Sequence, residues 1–231
     1  MTEPVVESIT ESIGIVSDVT VDMPATRPDD DLYVMVVDRD DDDFAYDDIE
    51  GQGWTLIEHH AMALGSATAS WWWKIGSSEP AQYVLGIDGG GAEKSNHVVI
   101  RISGINTSDP IGAFGTMNDG TTSPATSPAI TAETADSLIL RHYAVDTQIV
   151  DSFSGGTEVA RITSQAGGTS NYGVVRESSP GASTTTGTAT ATLSADDDWY
   201  ANTIEILAAG GPTDEYVPTL AQRIVRHTGR F

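Results

Sequence analysis

The sequence contains no cysteine, only two lysines among its 231 residues, and no long apolar run. Lack of cysteine excludes disulfides, thiolate metal sites and a cysteine nucleophile. The longest apolar stretch, Leu32 to Val37, is far too short to span a bilayer, so membrane insertion is not expected. The first residues, MTEPVVESITES, lack the basic-then-apolar order of a secretory signal. Basic residues as a class are scarce: 11 Lys+Arg stand against 34 Asp+Glu, a net charge of −23. A field of that sign repels phosphate backbones and anionic membranes, which removes nucleic acid from the expected partners.

What the chain does have is acid, threonine and short alternating segments. High acidity with few lysines suits a protein working in molar salt, where screening removes the self-repulsion. In Gly53 to Ile75, Trp54, Leu56 and Glu58 alternate with Thr55, Ile57 and His59, and then Ala69, Trp71, Trp73 and Ile75 alternate with Ser70, Trp72 and Lys74. This is a hairpin signature, and it holds four of the five tryptophans. Rings of that size bury about 150–250 Å² each, so the hairpin should anchor the core. Residues 32–37, LYVMVV, are apolar on both faces and fit a central strand. Residues 13–23 alternate as a half-buried strand, and further strands are expected over 82–87, 97–103, 129–133, 137–145, 172–176, 184–193 and 199–207. The turn-rich stretches 115–128 and roughly 151–171 read as irregular loops. The expected fold is all-β, an antiparallel β-sandwich of jelly-roll type over residues 1–211 with a short C-terminal helical tail over 212–231.

The tail reverses the charge balance, with three arginines against Asp214 and Glu215 after the Gly210–Pro212 hinge. Thr219 and Gln222 have capping-box spacing, and a helix of about ten residues is marginal alone in water. The tail is therefore expected to bind a partner subunit, with Leu220 and Ile224 as apolar contacts and Arg223, Arg226 and Arg230 supplying charge; the alternative is that it folds back to cover an edge of its own sandwich.

Chemistry-bearing residues are dispersed. The acidic run with Asp38, Asp40 and Asp42 offers oxygen ligands for Ca²⁺, yet it lacks the glycine and glutamate of a calcium loop and reads first as a solvated segment. No other cofactor is expected. His59 and His60 point to opposite faces of a strand, so they cannot share a metal without a bulge; His97 or His142 could join one of them, but the better reading is ordinary strand histidines. Glu58 and Glu205 lie in strands, where sandwich glycosidases keep their two carboxylates, but the more ordinary reading is surface positions. Trp72, facing away from Trp71 and Trp73, is available for a glycan or a covering partner.

Three segments carry a resemblance: GWTLIE through WWWKIGSSEPAQYVL (53–85), VVIRISGINTSDPIGA (98–113) with PAITAETADSLILRHYAVD (128–146), and TTTGTATATLSADDDWYANTIEIL (184–207). Together they resemble a β-sandwich module of tailed-phage virion proteins of the minor tail, fibre or head-decoration type. The resemblance implies a non-enzymatic structural role in a virion, homo-oligomers, and capsid or tail subunits as partners. It also implies synthesis in a host cytoplasm and release with the particle. The acidity adds a halophilic archaeal host. The alternative is a lectin-like receptor-binding module that contacts host surface glycans.

Overall fold

The computed structural model describes residues 2–16, 19–40, 46–47, 49–61, 67–87, 93–161 and 171–210. These form seventeen β-strands and one 3-10 turn, and every strand pairing is antiparallel. The first eight strands are β1 (Val5–Val16), β2 (Val19–Asp22), β3 (Leu32–Arg39), β4 (Tyr46–Asp47), β5 (Thr55–Ala61), β6 (Thr68–Ile75), β7 (Gln82–Ile87) and β8 (Glu93–Ser103). They make a five-stranded sheet, β1-β8-β3-β6-β5, and a smaller one, β2-β7-β4. A jelly roll has strand orders 1-8-3-6 and 2-7-4-5; here the fifth strand instead extends the larger sheet through its hairpin with β6.

The second half repeats this wiring. Its strands are β9 (Ile111–Phe114), β10 (Asn118–Gly120), β11 (Ala125–Ser127), β12 (Leu138–Val145), β13 (Val150–Phe153), β14 (Thr157–Arg161), β15 (Asn171–Ser178), β16 (Ala189–Leu193) and β17 (Trp199–Ile206). With β9 and β10 as one interrupted first strand beside β17, the orders are β10-β17-β12-β15-β14 and β11-β16-β13. The protein is thus two jelly-roll units of identical strand order.

The two larger sheets pack on each other, giving four layers with apolar packing in each of the three spaces between them. The central core joins Leu32, Val34, Val36, Trp71, Val98, Ile100 and Ile102 of one unit to Leu138, Leu140, Val174, Ile204 and Ile206 of the other. Each outer core fills the space between a unit's own two sheets. This layering explains why β3 and β12 are buried at all eight positions: each is central in its sheet, with another sheet on either face.

Facing contacts place β3 against β12, β5 against β17, and both β1 and β8 against β15. The lateral order is reversed between the sheets, as an approximate twofold axis along β3 and β12 requires. At one end an isolated bridge pairs Ile105 with Ala208, just beyond β8 and β17. Gly104 and Gly210 flank it with φ of 73° and 77°, a left-handed backbone that suits glycine.

Several expectations change. The stretch 115–128 is not one exposed loop: it contains β10 and β11, whose Ala125 and Ser127 are fully buried. Residues 150–161 likewise form β13 and β14. The partners of β10, β11 and β13 are β17 and β16, far later in the chain, so local turn chemistry gives no sign of those pairings; β14 pairs with the next strand, β15. The expected strand over 13–23 divides between β1 and β2, which belong to different sheets. The helical tail over 212–231 lies outside the described residues.

Candidate functional site

The polar groups of the central interface gather at the end of β3 remote from Leu32. Because β3 continues two residues beyond its apolar run, Asp38 is carried between the sheets and is fully buried. His142, at the middle of β12 and also fully buried, lies opposite, with Nε2 3.0 Å from Asp38 Oδ2. Trp71 Nε1 donates to His142 Nδ1 at 2.8 Å. That bond makes Nδ1 the acceptor, so the imidazole is neutral and its Nε2–H donates to Asp38. Burial raises the Asp38 pKa, while His142 works against the shift. Asp38 Oδ1 is buried without a hydrogen-bond partner.

The seam continues through Tyr200, whose ring lies 6.0 Å from His142 and 5.3 Å from His60. The Tyr200 hydroxyl donates to Glu58 Oε2 at 2.9 Å, and the Asn202 amide donates to the same oxygen. Burial raises the Glu58 pKa to about 7, although Tyr200 and the Met117 backbone N–H stabilise its carboxylate. Burial lowers the His60 pKa. Tyr172 closes the far side by donating to Glu11 at 2.7 Å. Except for the Tyr200–His142 ring contact, which lies within the second unit, each of these pairs joins one jelly-roll unit to the other. Chemically, the seam can hold the two large sheets in register and exchange a proton near neutrality.

Glu205, the other strand carboxylate, lies on the opposite face of β17 from Tyr200 and Asn202. It is fully buried and accepts from the backbone N–H groups of Ala113, Glu133 and Thr134 and from the Ser137 hydroxyl. Glu58 and Glu205 therefore have a sheet between them and do not flank a common substrate position. Neither is a surface residue: the second jelly roll covers Glu58, and the segments at Ala113 and Glu133–Ser137 of its own unit close over Glu205.

Trp72 is 6% exposed and packs with Trp54, Tyr33, Tyr83 and Met35 in an outer core, because β2-β7-β4 covers the face expected to be open. It presents no platform to a sugar. Among the calcium candidates, Asp38 belongs to the seam and not to a loop, Asp40 is half-buried, and Asp42 lies outside the described residues. Leu220, Arg223, Ile224, Arg226 and Arg230 also lie outside them. The histidines are distributed: His60 and His142 meet Tyr200, whereas His97 is buried on the other face of β8, where desolvation pushes its pKa down to about 3. A polar notch of about 380 Å³ opens among Glu3, Thr157, Arg176, Glu177 and Ser178.

No protein-family model, curated protein or solved structure matches the chain. The sequence reading missed the duplication and with it the seam. One signal was present, where the chain leaves β6 and β15: Ser77-Ser78-Glu79-Pro80 follows β6, and Ser178-Ser179-Pro180 starts on the last residue of β15.

Proposed function

We propose that this chain is a non-enzymatic structural component of a tailed-virus particle, a capsid-decoration, turret or tail-associated protein that displays a rigid double jelly roll. The observation that carries the reading is the continuous core between the two large sheets, with ionisable groups such as Asp38, Glu58 and Glu205 engaged in holding strands together. A block built in this way suits display and load-bearing. The resemblance of the 53–85, 98–113 with 128–146, and 184–207 segments to virion modules supports the same assignment, as does a charge that resists condensation in high salt. Partners are capsid or tail subunits and further copies of the chain, and residues 212–231 supply the attachment through Leu220, Ile224 and the three arginines.

The test is to purify particles from infected cells, quantify the chain by mass spectrometry, and locate it by antibody labelling in electron micrographs. Stoichiometric recovery at a defined position on the particle supports the reading; recovery only in the cell lysate overturns it. A lectin-like role is the second reading, and what favours it is the polar notch around Arg176, whose volume falls within the range of small-ligand sites. A glycan array in high salt separates the two, with loss of sugar binding in Arg176→Ala expected only for the lectin.

A further inference from the structure

Both lysines of this acidic chain are buried, and their partners differ. Lys74 forms an ion pair with Glu79 at 2.9 Å and donates to Tyr83 and the Gln52 carbonyl. Lys94, 5% exposed, reaches a neutral amide in the other jelly-roll unit: its Nζ is 3.4 Å from Oδ1 of Asn171, which is fully buried. The Asn171 Nδ2 donates to the carbonyls of Thr147 and Gln148 at 3.3 and 2.9 Å. Those two bonds fix the amide plane with its carbonyl turned towards the amine. The Asp40 backbone N–H donates to the Lys94 carbonyl at 2.9 Å, which brings the Asp40 carboxylate close enough for its charge to act on the amine.

We propose that Lys94 and Asn171 form an intramolecular isopeptide bond that joins β8 to β15 and so locks the two jelly rolls together. The neutral Lys94 amine attacks Asn171 Cγ, forming the Nζ–Cγ bond. A proton then passes from Nζ to Nδ2 through the Asp40 carboxylate, the Cγ–Nδ2 bond breaks, and ammonia leaves. No oxidant, metal or co-reactant is needed. Three local features favour the step. Desolvation lowers the Lys94 pKa and so favours the nucleophilic form of the amine. Burial excludes competing water, and the two groups are already in contact across the interface. The bond would close a loop whose ends are 77 residues apart, making the stacking of the units irreversible.

Intact-mass spectrometry of the purified full chain tests this directly. The expected mass is lower than that of the sequence by one ammonia, with a branched peptide linking the segments around Lys94 and Asn171 after proteolysis. Lys94→Arg and Asn171→Ala should each restore the full sequence mass. Asp40→Asn should slow the loss of ammonia in freshly synthesised protein without preventing folding, as followed by circular dichroism. A wild-type mass equal to that of the sequence overturns the proposal, as does ammonia loss that persists in Asn171→Ala. A variant that fails to fold leaves the wild-type mass and the branched peptide to decide the matter.

Discussion

Between β2-β7-β4 and the first large sheet the space is filled by Trp54, Trp72, Tyr33, Tyr83 and Met35. The corresponding space of the second unit holds Ala125, Ala191 and Ala201 beside Tyr143 and Trp199. The buried cations differ as well: Arg39, Lys74 and Lys94 in the first unit, Arg141 in the second. In the first, Lys74 lies over the Trp54 and Tyr83 rings at 5.6 and 4.9 Å and pairs with Glu79. In the second, the fully buried Arg141 guanidinium pairs with Glu177 and donates to Ser127, Thr203 and the carbonyls of Pro128 and Gly187. One strand order thus accepts two fillings. The first relies on aromatic volume, and the second on small side chains with a polar network among them. Close packing explains how both succeed, since a core needs its volume filled and its polar groups satisfied, whichever residues do it.

Truncation should give the largest difference between the units. Trp72→Ala leaves a void in the aromatic core and should cost roughly 4 kcal/mol, whereas Leu193→Ala in the second unit should cost about 2–3 kcal/mol. Urea denaturation measures both. Because the central core is shared, each variant should unfold in a single transition; two separated transitions would show that the units are independent.

The buried cations sharpen the comparison. Lys74→Met strands Glu79, whose side chain is 1% exposed, and should cost about 3 kcal/mol. Arg141→Met leaves Glu177 at 22% exposure, where water can solvate it, so about 2 kcal/mol is expected. Equal losses in the two variants would mean that the carboxylates, despite their different burial, are equally well solvated.

The seam between the units should respond to pH with a definite sign. Glu58 has its folded pKa raised to about 7 from an ordinary 4.5, so between those values the folded chain keeps a proton that the unfolded chain has released. Its contribution is full below the lower value and is lost as pH rises through the upper one, by roughly 2–3 kcal/mol. Other carboxylates also titrate in the acid range, so the informative quantity is the difference between wild type and Glu58→Gln. Melting curves from pH 4 to 8 should show that difference shifting in favour of the variant as pH rises.

The smallest effect per charge is also the most widespread. With a net charge of −23, the melting temperature should rise from low to molar salt, and it should do so in both units together. A flat response would remove the argument for a high-salt environment. In the described residues few cations oppose the acids at close range, so screening by solvent ions has to do what ion pairs do elsewhere.

The sequence by itself determined the strand character of the chain. Period-two alternation in Gly53–Ile75 gave the β5–β6 hairpin, the two-sided apolar run LYVMVV gave the central strand β3, and Tyr200, Asn202, Ile204 and Ile206 share a face as their spacing requires. Alternation states that two faces exist but not what lies against each, and Trp72 could not reveal that a second sheet covers it. The short strands β10, β11 and β13 were hidden because the strands they pair with lie far along the chain, and β14 because its pairing with the next strand, β15, is irregular in register between Glu158 and Ala160. The seam was equally invisible: Asp38 and His142 are 104 residues apart, and Glu58 and Tyr200 are 142 apart. Only the stacking of the two jelly rolls brought them together, because burial between two sheets is a property of the packed layers and of no single strand.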